Sequence, residues 1–333
     1  MKKNIIVTGA AGFLGARVGK FLSKQYPEFN IITTSRRNEK EKELIENQCE
    51  FISGDLCNVS FCETLTLNAS YVIHCAALSS PYGNYQDFYQ ANVIATQNLL
   101  NASLKNGVKR FIFISTPSIY FNFKDRFDVK ENEPLPEKMV NHYAQTKLMA
   151  EKYVLDMHVK GIETIALRPR AIIGAEDTVI FPIALEAYNQ GKLKIIGTGN
   201  NICDFTCARN VIEAIICAIN AKQDALGNAY NITDGEPTCI WDALNFTLTS
   251  LDKKPIKQKV PYKLALFVAG IIEGKAKLFN QKKEPPLTRY GIGILAHNFT
   301  LDISEAKNKL GYQPVLKTME GIKEYIEWHK TRY

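Results

Sequence analysis

The sequence predicts an α/β fold: a doubly wound parallel sheet with a smaller, mostly helical C-terminal lobe. Three observations lead there. Short β-branched runs alternate with helical periodicities from residue 4 to residue 115, the pattern of strands joined by crossover helices. The run Lys109-Arg110-Phe111-Ile112-Phe113-Ile114-Ser115 is apolar through its centre, as a strand covered on both faces must be. The first strand, Ile5-Ile6-Val7-Thr8, passes straight into Gly9-Ala10-Ala11-Gly12-Phe13-Leu14-Gly15, a glycine-rich turn that opens a helix. With 333 residues and 46% hydrophobic content, the chain can bury such a sheet and a second lobe.

In the first helix Phe13, Leu14, Val18, Phe21 and Leu22 recur at helical spacing. A helix N-terminus presents unpaired N–H groups and about half a positive charge, which makes it an anion site. Glycines 9, 12 and 15 let a pyrophosphate approach the backbone and let helix and strand pack closely. The spacing is GxxGxxG, not the simplest GxGxxG fingerprint. The second strand, Asn30-Ile31-Ile32-Thr33-Thr34, ends at Ser35-Arg36-Arg37. A carboxylate here suits a ribose 2′-hydroxyl, whereas an arginine suits a 2′-phosphate. Two arginines and no carboxylate favour NADP(H) over NAD(H). A charged helix over 40–46 leads to the third strand, Glu50-Phe51-Ile52-Ser53-Gly54-Asp55-Leu56. Asp55 reads either as an acceptor for the adenine amino group or as the cap of the next helix. The fourth strand, Tyr71-Val72-Ile73-His74-Cys75-Ala76-Ala77, ends in small residues that leave room for a cofactor, with His74 read as a core histidine. Residues 85–105 read as one helix, with Phe88, Asn92, Ala95, Leu99 and Ala102 along a stripe.

Thr116 follows the fifth strand, a loop rich in proline and charge covers 117–138, and Asn141-His142-Tyr143-Ala144-Gln145-Thr146-Lys147 opens a helix. Tyr143 and Lys147 are four apart and share a face. An ammonium beside a phenol, together with an oxidised nicotinamide, favours phenolate. Such a tyrosine gives a proton to a carbonyl oxygen or takes one from an alcohol. A hydroxyl at the end of the fifth strand holds the substrate oxygen.

These motifs, with Asn92-Val93-Ile94-Ala95-Thr96, Ser115-Thr116-Pro117-Ser118-Ile119-Tyr120 and Leu167-Arg168-Pro169, come in one order over about half the chain. The chain resembles the extended short-chain dehydrogenases/reductases, whose core is a Rossmann-type sheet. The resemblance implies Tyr143 as acid/base, Lys147 on the nicotinamide ribose, and Thr116 as the assisting hydroxyl with Ser118 as second choice. It implies a cofactor site formed by Gly9, Ala11, Gly12, Phe13, Leu14, Gly15, Ser35, Arg36, Arg37, Asp55, Leu56, Ala76, Ala77, Lys147 and Pro169. It places Ser79, Arg170 and Asp204 toward the substrate. The cofactor domain is expected over 1–170, rejoined by segments near 200–235, and a discontinuous substrate lobe over 171–333. A homodimer through the helices at 85–105 and 141–160 is a family expectation.

The second half separates branches of this family. Arg168-Pro169-Arg170-Ala171-Ile172-Ile173-Gly174, Asp177, Pro182 and the run from Gly197 to Thr206 resemble the branch of 3β-hydroxysteroid dehydrogenases, sterol-4α-carboxylate 3-dehydrogenases and 2-alkyl-3-oxoalkanoate reductases. Nucleotide-sugar epimerases and dehydratases usually carry an arginine where this chain has Cys203, and a thiol cannot replace a guanidinium fork against phosphate. The branch's Val-Asp-Asn is Ala208-Arg209-Asn210 here, a departure. The expected substrate is a hydrophobic, steroid-like or 3-oxoalkanoate-like alcohol or ketone. An acidic group on it gives a reason for Arg168, Arg170 or Arg209 near the site. The alternative is a nucleotide-sugar epimerase or dehydratase.

The net charge of +7 is spread as short pairs such as Lys2-Lys3 and Lys253-Lys254, which argues against nucleic acid as a partner. Eight cysteines without a CxxC pair point to a reduced compartment and no metal site. No signal peptide is read, and the apolar run 264–272 is far short of the roughly 18–20 residues that span a bilayer. The expected location is the cytoplasm. The segment 261–283 reads equally as a core helix or as an interfacial one, with Lys275, Lys277, Lys282 and Lys283 beside anionic headgroups.

Overall fold

The computed structural model describes residues 2–279 and 284–332. Seven strands form the main sheet: β1 (Asn4–Thr8), β2 (Asn30–Ser35), β3 (Glu50–Ser53), β4 (Ala69–His74), β5 (Arg110–Ile114), β6 (Glu163–Pro169) and β7 (Asn228–Ile232). Their order across the sheet is 3-2-1-4-5-6-7, and every pairing is parallel. The winding reverses between β1 and β4, and in sheets of this kind the ligand crevice lies outside the carboxyl ends of the strands at that point.

Alternating side chains of each strand feed two cores. Ile5 and Val7 point to one face with Ile73, Ile112 and Ile165, where α1 (Phe13–Gln25) adds Leu14, Val18 and Leu22. Ile6 points to the other face with Val72, Phe111 and Phe113, under Leu99 and Leu100 of α2 (Ala95–Lys105) and Ala150 and Val154 of α3 (His142–Asp156). The first face is completed by α4 (Ala208–Ile219), through Val211, Ile212 and Ile215. Residues 208–232 therefore return to the sheet, as a covering helix and as edge strand β7.

The smaller lobe has its own core, which includes Phe181, Trp241, Leu244, Ile292 and Tyr325. It contains α5 (Tyr262–Leu278), α6 (Arg289–Ala296) and α7 (Thr318–Arg332). A four-stranded sheet joins Thr238–Cys239, Ile202–Cys203, Phe299–Leu301 and Arg126–Val129. The last of these strands comes from the segment expected to be only loop. Arg126 and Val129 pair with Phe299 and Leu301, so the first half of the chain is stitched into the second.

The helix expected over 85–105 is interrupted. Tyr85–Phe88 is α-helical, Tyr89–Ile94 takes π geometry, and α2 follows. The π turn carries Asn92, whose amide holds Leu78 from both sides. Leu78 N donates to Oδ1 at 2.7 Å, and Nδ2 donates to Leu78 O at 3.2 Å. Turns of this kind gather at functional positions, and this one fixes the loop that carries Ser79.

α5 divides between the two readings of its segment. Ala265, Ala269 and Ala276 are buried, while Leu264, Phe267, Val268 and Ile271 are exposed, Phe267 to 67%. Its one acid, Glu273, is turned toward α6 and accepts from Arg289 N at 2.8 Å. Lys282 and Lys283 lie outside the described residues. Among the described residues no helix is long and apolar enough to cross a membrane.

Candidate active site

At the end of β1 the chain turns through Gly9, whose φ of +75° favours glycine. A Cβ at Gly9 would lie 2.8 Å from Ala76 N, and one at Gly15 would lie 2.4 Å from Gly9 O. Helix, turn and the end of β4 are thus packed backbone to backbone. Gly12, exposed, occupies the N-cap of α1; no side chain caps the helix and no acid stands in its first turn. Its first amides are thus left without a capping side chain, as an anion site requires. Arg36 and Arg37 stand exposed just beyond β2, Arg37 3.6 Å from Glu39. Exposed Asp55 accepts from Cys57 N at 2.9 Å, whereas Asn58 caps the following helix by accepting from Phe61 N at 3.1 Å. Of the two readings of Asp55, the helix cap fails because Asn58 fills that place. This set of glycines, uncapped amides and crevice residues fits a dinucleotide.

His74 is a bridge, not a catalyst. Burial drives its pKa down to about 3, so the ring is neutral. Thr96 donates its hydroxyl proton to Asn92 O at 2.7 Å and must therefore accept from His74 Nε2, 2.9 Å away. Nδ1 then accepts from Thr8, at 2.7 Å, and Thr8 Oγ1 accepts from Ala76 N at 3.1 Å. The histidine ties β1, β4 and α2 beside the crevice.

Asn141 caps α3, its side chain accepting from Ala144 N at 2.8 Å, so Tyr143 projects from the first turn. The phenol is hydrogen-bonded to the hydroxyls of Thr116 and Ser79. Burial raises its pKa above the usual phenol value, although both hydroxyl contacts pull it down. The expected lowering by Lys147 is not what the protein by itself produces. The buried Lys147 ammonium donates to Ile114 O at 2.6 Å and lies 3.8 Å from the centroid of the Phe113 ring. Burial lowers it to about 7. Near neutral pH the site therefore holds a protonated phenol. Thr116 caps the turn after β5 and donates to Ser118 Oγ at 3.1 Å.

The arginines fare differently. Arg168 is consumed by Glu151, with Nε–Oε2 2.8 Å and Nη2–Oε1 2.5 Å, and also donates to Tyr120. Its expected role on a substrate acid is overturned, because its donors are already spent in the core. Arg209 packs 4.1 Å over the Phe21 ring and pairs with Glu213 at 3.5 Å, on the covered face of the sheet. Arg170 is 7% exposed, stacks 4.7 Å over Phe299, and its Nε has no partner. Asp204 is buried and accepts from Leu301 N at 2.7 Å; burial raises it to about 6, against the pull of Arg170. Burial pushes the Cys203 thiol up to about 12, against the electrostatic pull of the same guanidinium. Pro169 closes β6, paired with Ile232.

Sequence reasoning missed Tyr290. Its phenol lies 2.9 Å from Ser118 Oγ, carried there by α6 from 172 residues away. No local motif announces it.

Residues 6–264 match the model of the 3-beta hydroxysteroid dehydrogenase/isomerase family. The chain is 32% identical to a 3beta-hydroxysteroid-dehydrogenase/decarboxylase (isoform 1) of Arabidopsis thaliana, over 97% of this chain and 78% of the relative. It is 29% identical to a 2-alkyl-3-oxoalkanoate reductase of Shewanella oneidensis, over 95% and 84%. A UDP-glucuronic acid 4-epimerase from Bacillus cereus, solved in complex with NAD, superposes with a TM-score of 0.78 at 23% identity over 99% and 97% of the two chains. That likeness speaks to the shared fold. Glycine turn, crevice, phenol and family model agree: the chain is an enzyme of the extended short-chain dehydrogenase/reductase superfamily and belongs to its 3-beta hydroxysteroid dehydrogenase/isomerase family.

Proposed function

We propose that this enzyme reduces a ketone on a hydrophobic substrate with NADPH, and that Tyr143 donates the proton. The protonated phenol carries this reading: it sits between Thr116, beyond β5, and Ser79, beyond β4, and burial holds its proton near neutral pH. The dinucleotide, when bound, supplies the hydride. Thr116 and Ser79 would hold the carbonyl oxygen within reach of the phenol. Lys147 would hold the nicotinamide ribose. Ser35, Arg36 and Arg37 would face a 2′-phosphate, with Asp55 and Leu56 toward the adenine. Arg170, with one N–H unspent in a buried place, suits an acidic group on the substrate. The exposed face of α5, apolar with lysines at 263 and 275 and its acid turned inward, suits contact with an anionic lipid surface.

The test is NADPH oxidation with a 3-ketosteroid, a 2-alkyl-3-oxoalkanoic acid and a UDP-4-keto sugar, with NADH in parallel and Tyr143→Phe as the control. Stoichiometric oxidation with either of the first two, reduced by about 10²-fold or more in the variant, is the expected result. Conversion of the sugar alone would replace this reading with the nucleotide-sugar one. Equal rates with NADH would remove the role given to Arg36 and Arg37.

A further inference from the structure

The smaller lobe brings a second phenol to the hydroxyls around Tyr143. Tyr290 is the second residue of α6, and its backbone is fixed from two sides. Thr288 caps the helix by accepting from Gly291 N at 3.1 Å, and Glu273 of α5 accepts from Arg289 N at 2.8 Å. The ring stands edge-on to Phe121, with centroids 6.0 Å apart. From there Tyr290 Oη reaches Ser118 Oγ at 2.9 Å, Ser118 Oγ meets Thr116 Oγ1 at 3.1 Å, and Thr116 is hydrogen-bonded to Tyr143. Thr116 and Ser118 are buried, whereas Tyr143 and Tyr290, at the two ends, are both half-buried. Four hydroxyls in series thus connect the acid/base to a half-buried phenol of the smaller lobe. Each hydroxyl both donates and accepts, and its proton rotates, so the series can carry a proton in either direction.

We propose that Tyr143, Thr116, Ser118 and Tyr290 form a proton wire that reloads Tyr143 after each reduction, with Tyr290 as the relay residue supplied by the substrate lobe. The inference rests on Tyr143 being the acid. In reduction the Tyr143 O–H bond breaks and its proton goes to the carbonyl oxygen as hydride reaches the carbon. Thr116, which donates to Ser118 Oγ while Tyr143 holds its proton, turns its hydroxyl to the phenolate. The phenolate then takes the Thr116 proton, Thr116 takes that of Ser118, Ser118 takes that of Tyr290, and Tyr290 takes one from water or a buffer acid. The transfers are concerted, so no free alkoxide forms, and one solvent proton is consumed per NADPH oxidised. Burial makes the Tyr143 phenolate unfavourable, which drives the transfer toward Tyr143. The competing route is direct reloading from the cleft side, where Tyr143 is itself only half-buried and exposed Ser79 touches the phenol.

The experiment is a single turnover in a stopped-flow instrument, using the carbonyl probe that the wild-type enzyme reduces. NADPH absorbance reports hydride transfer and a pH indicator reports proton uptake. In the wild type, uptake should follow hydride transfer without a lag. In Tyr290→Phe and in Ser118→Ala, uptake should lag about tenfold behind the wild type, a step of about 1.4 kcal/mol in barrier. Added imidazolium should shorten the lag, which a merely structural defect would not allow. KM should stay within about twofold. Unchanged uptake in both variants, or a lag confined to Ser79→Ala, would overturn the wire while leaving Tyr143 as the acid. Full turnover by Tyr143→Phe would overturn the acid assignment itself. If Tyr290→Phe raises KM alone, Tyr290 is a substrate contact and the wire fails.

Discussion

Two arginines, two residues apart on the same strand end, show how the two walls of the cleft differ. Arg168 faces inward, and Glu151, Tyr120 and the Glu131 carbonyl take its donors. Arg170 faces the smaller lobe, rests on Phe299, and keeps Nε unspent. The wall built by the main sheet is a closed network in which His74, Asn92, Glu151 and Lys147 each have fixed partners. The wall built with the smaller lobe is aromatic and sparsely bonded. A closed network positions chemistry, and an open one leaves donors for what binds.

The largest effect should come from cutting the closed wall at its functional end. Lys147→Met should lower kcat/KM by about 10²-fold or more, yet it should raise the melting temperature of the cofactor-free protein at pH 6. Its folded pKa of about 7 lies below the unfolded 10.5. The unfolded chain therefore binds more protons between those values, and wild-type stability rises with pH across that window. The gap in melting temperature should close by about pH 10. A variant that melts lower at pH 6 would show that the Ile114 and Phe113 contacts outweigh the burial cost.

Cutting the same wall at its structural end should cost stability instead. Glu151→Gln leaves the buried Arg168 without its counter-charge and should destabilise by about 3–5 kcal/mol, read from urea unfolding. A loss below about 1 kcal/mol would erase the distinction between the two arginines.

On the open wall, Arg170→Met should cost less stability than Glu151→Gln, because the Arg170 side chain makes no hydrogen-bonded pair among the described residues and the loss is its electrostatic pull on Asp204. It should lower kcat/KM for a 2-alkyl-3-oxoalkanoic acid by about 10–100-fold, the scale of a hydrogen bond to a charged group, and leave the methyl ester unaffected. Equal losses for acid and ester would make Arg170 a packing residue. The smallest effect belongs to the outer rim, where Phe267→Asp should weaken sedimentation with phosphatidylserine vesicles by about tenfold, or 1.4 kcal/mol, without altering turnover of a dissolved probe. Absence of binding by the wild type would remove the lipid contact.

The doubly wound sheet was legible because each element rests on a local signal. β-branched runs gave the strands, Gly9 and Gly15 stand where a Cβ meets backbone, and the YxxxK spacing put Tyr143 and Lys147 on one helix face. Local spacing says nothing about which donors are already spent. Arg168 and Arg170 read alike in the sequence, and only the packing of Glu151 under β6 separates them. The same limit hid the π turn at Asn92, whose geometry answers to Leu78 and Thr146 across the fold.

The sequence by itself determined the sheet, the glycine turn and the acid/base helix, since each depends on residues within a few turns of one another. Tertiary structure alone decided the charge state of that site and the company it keeps. Burial depends on everything packed around a group, and it keeps Tyr143 protonated and brings Lys147 down to about 7. Tyr290 reaches Ser118 from 172 residues away, on a helix set by the Thr288 cap and Glu273 in a lobe whose strand Phe299–Leu301 pairs with Arg126–Val129.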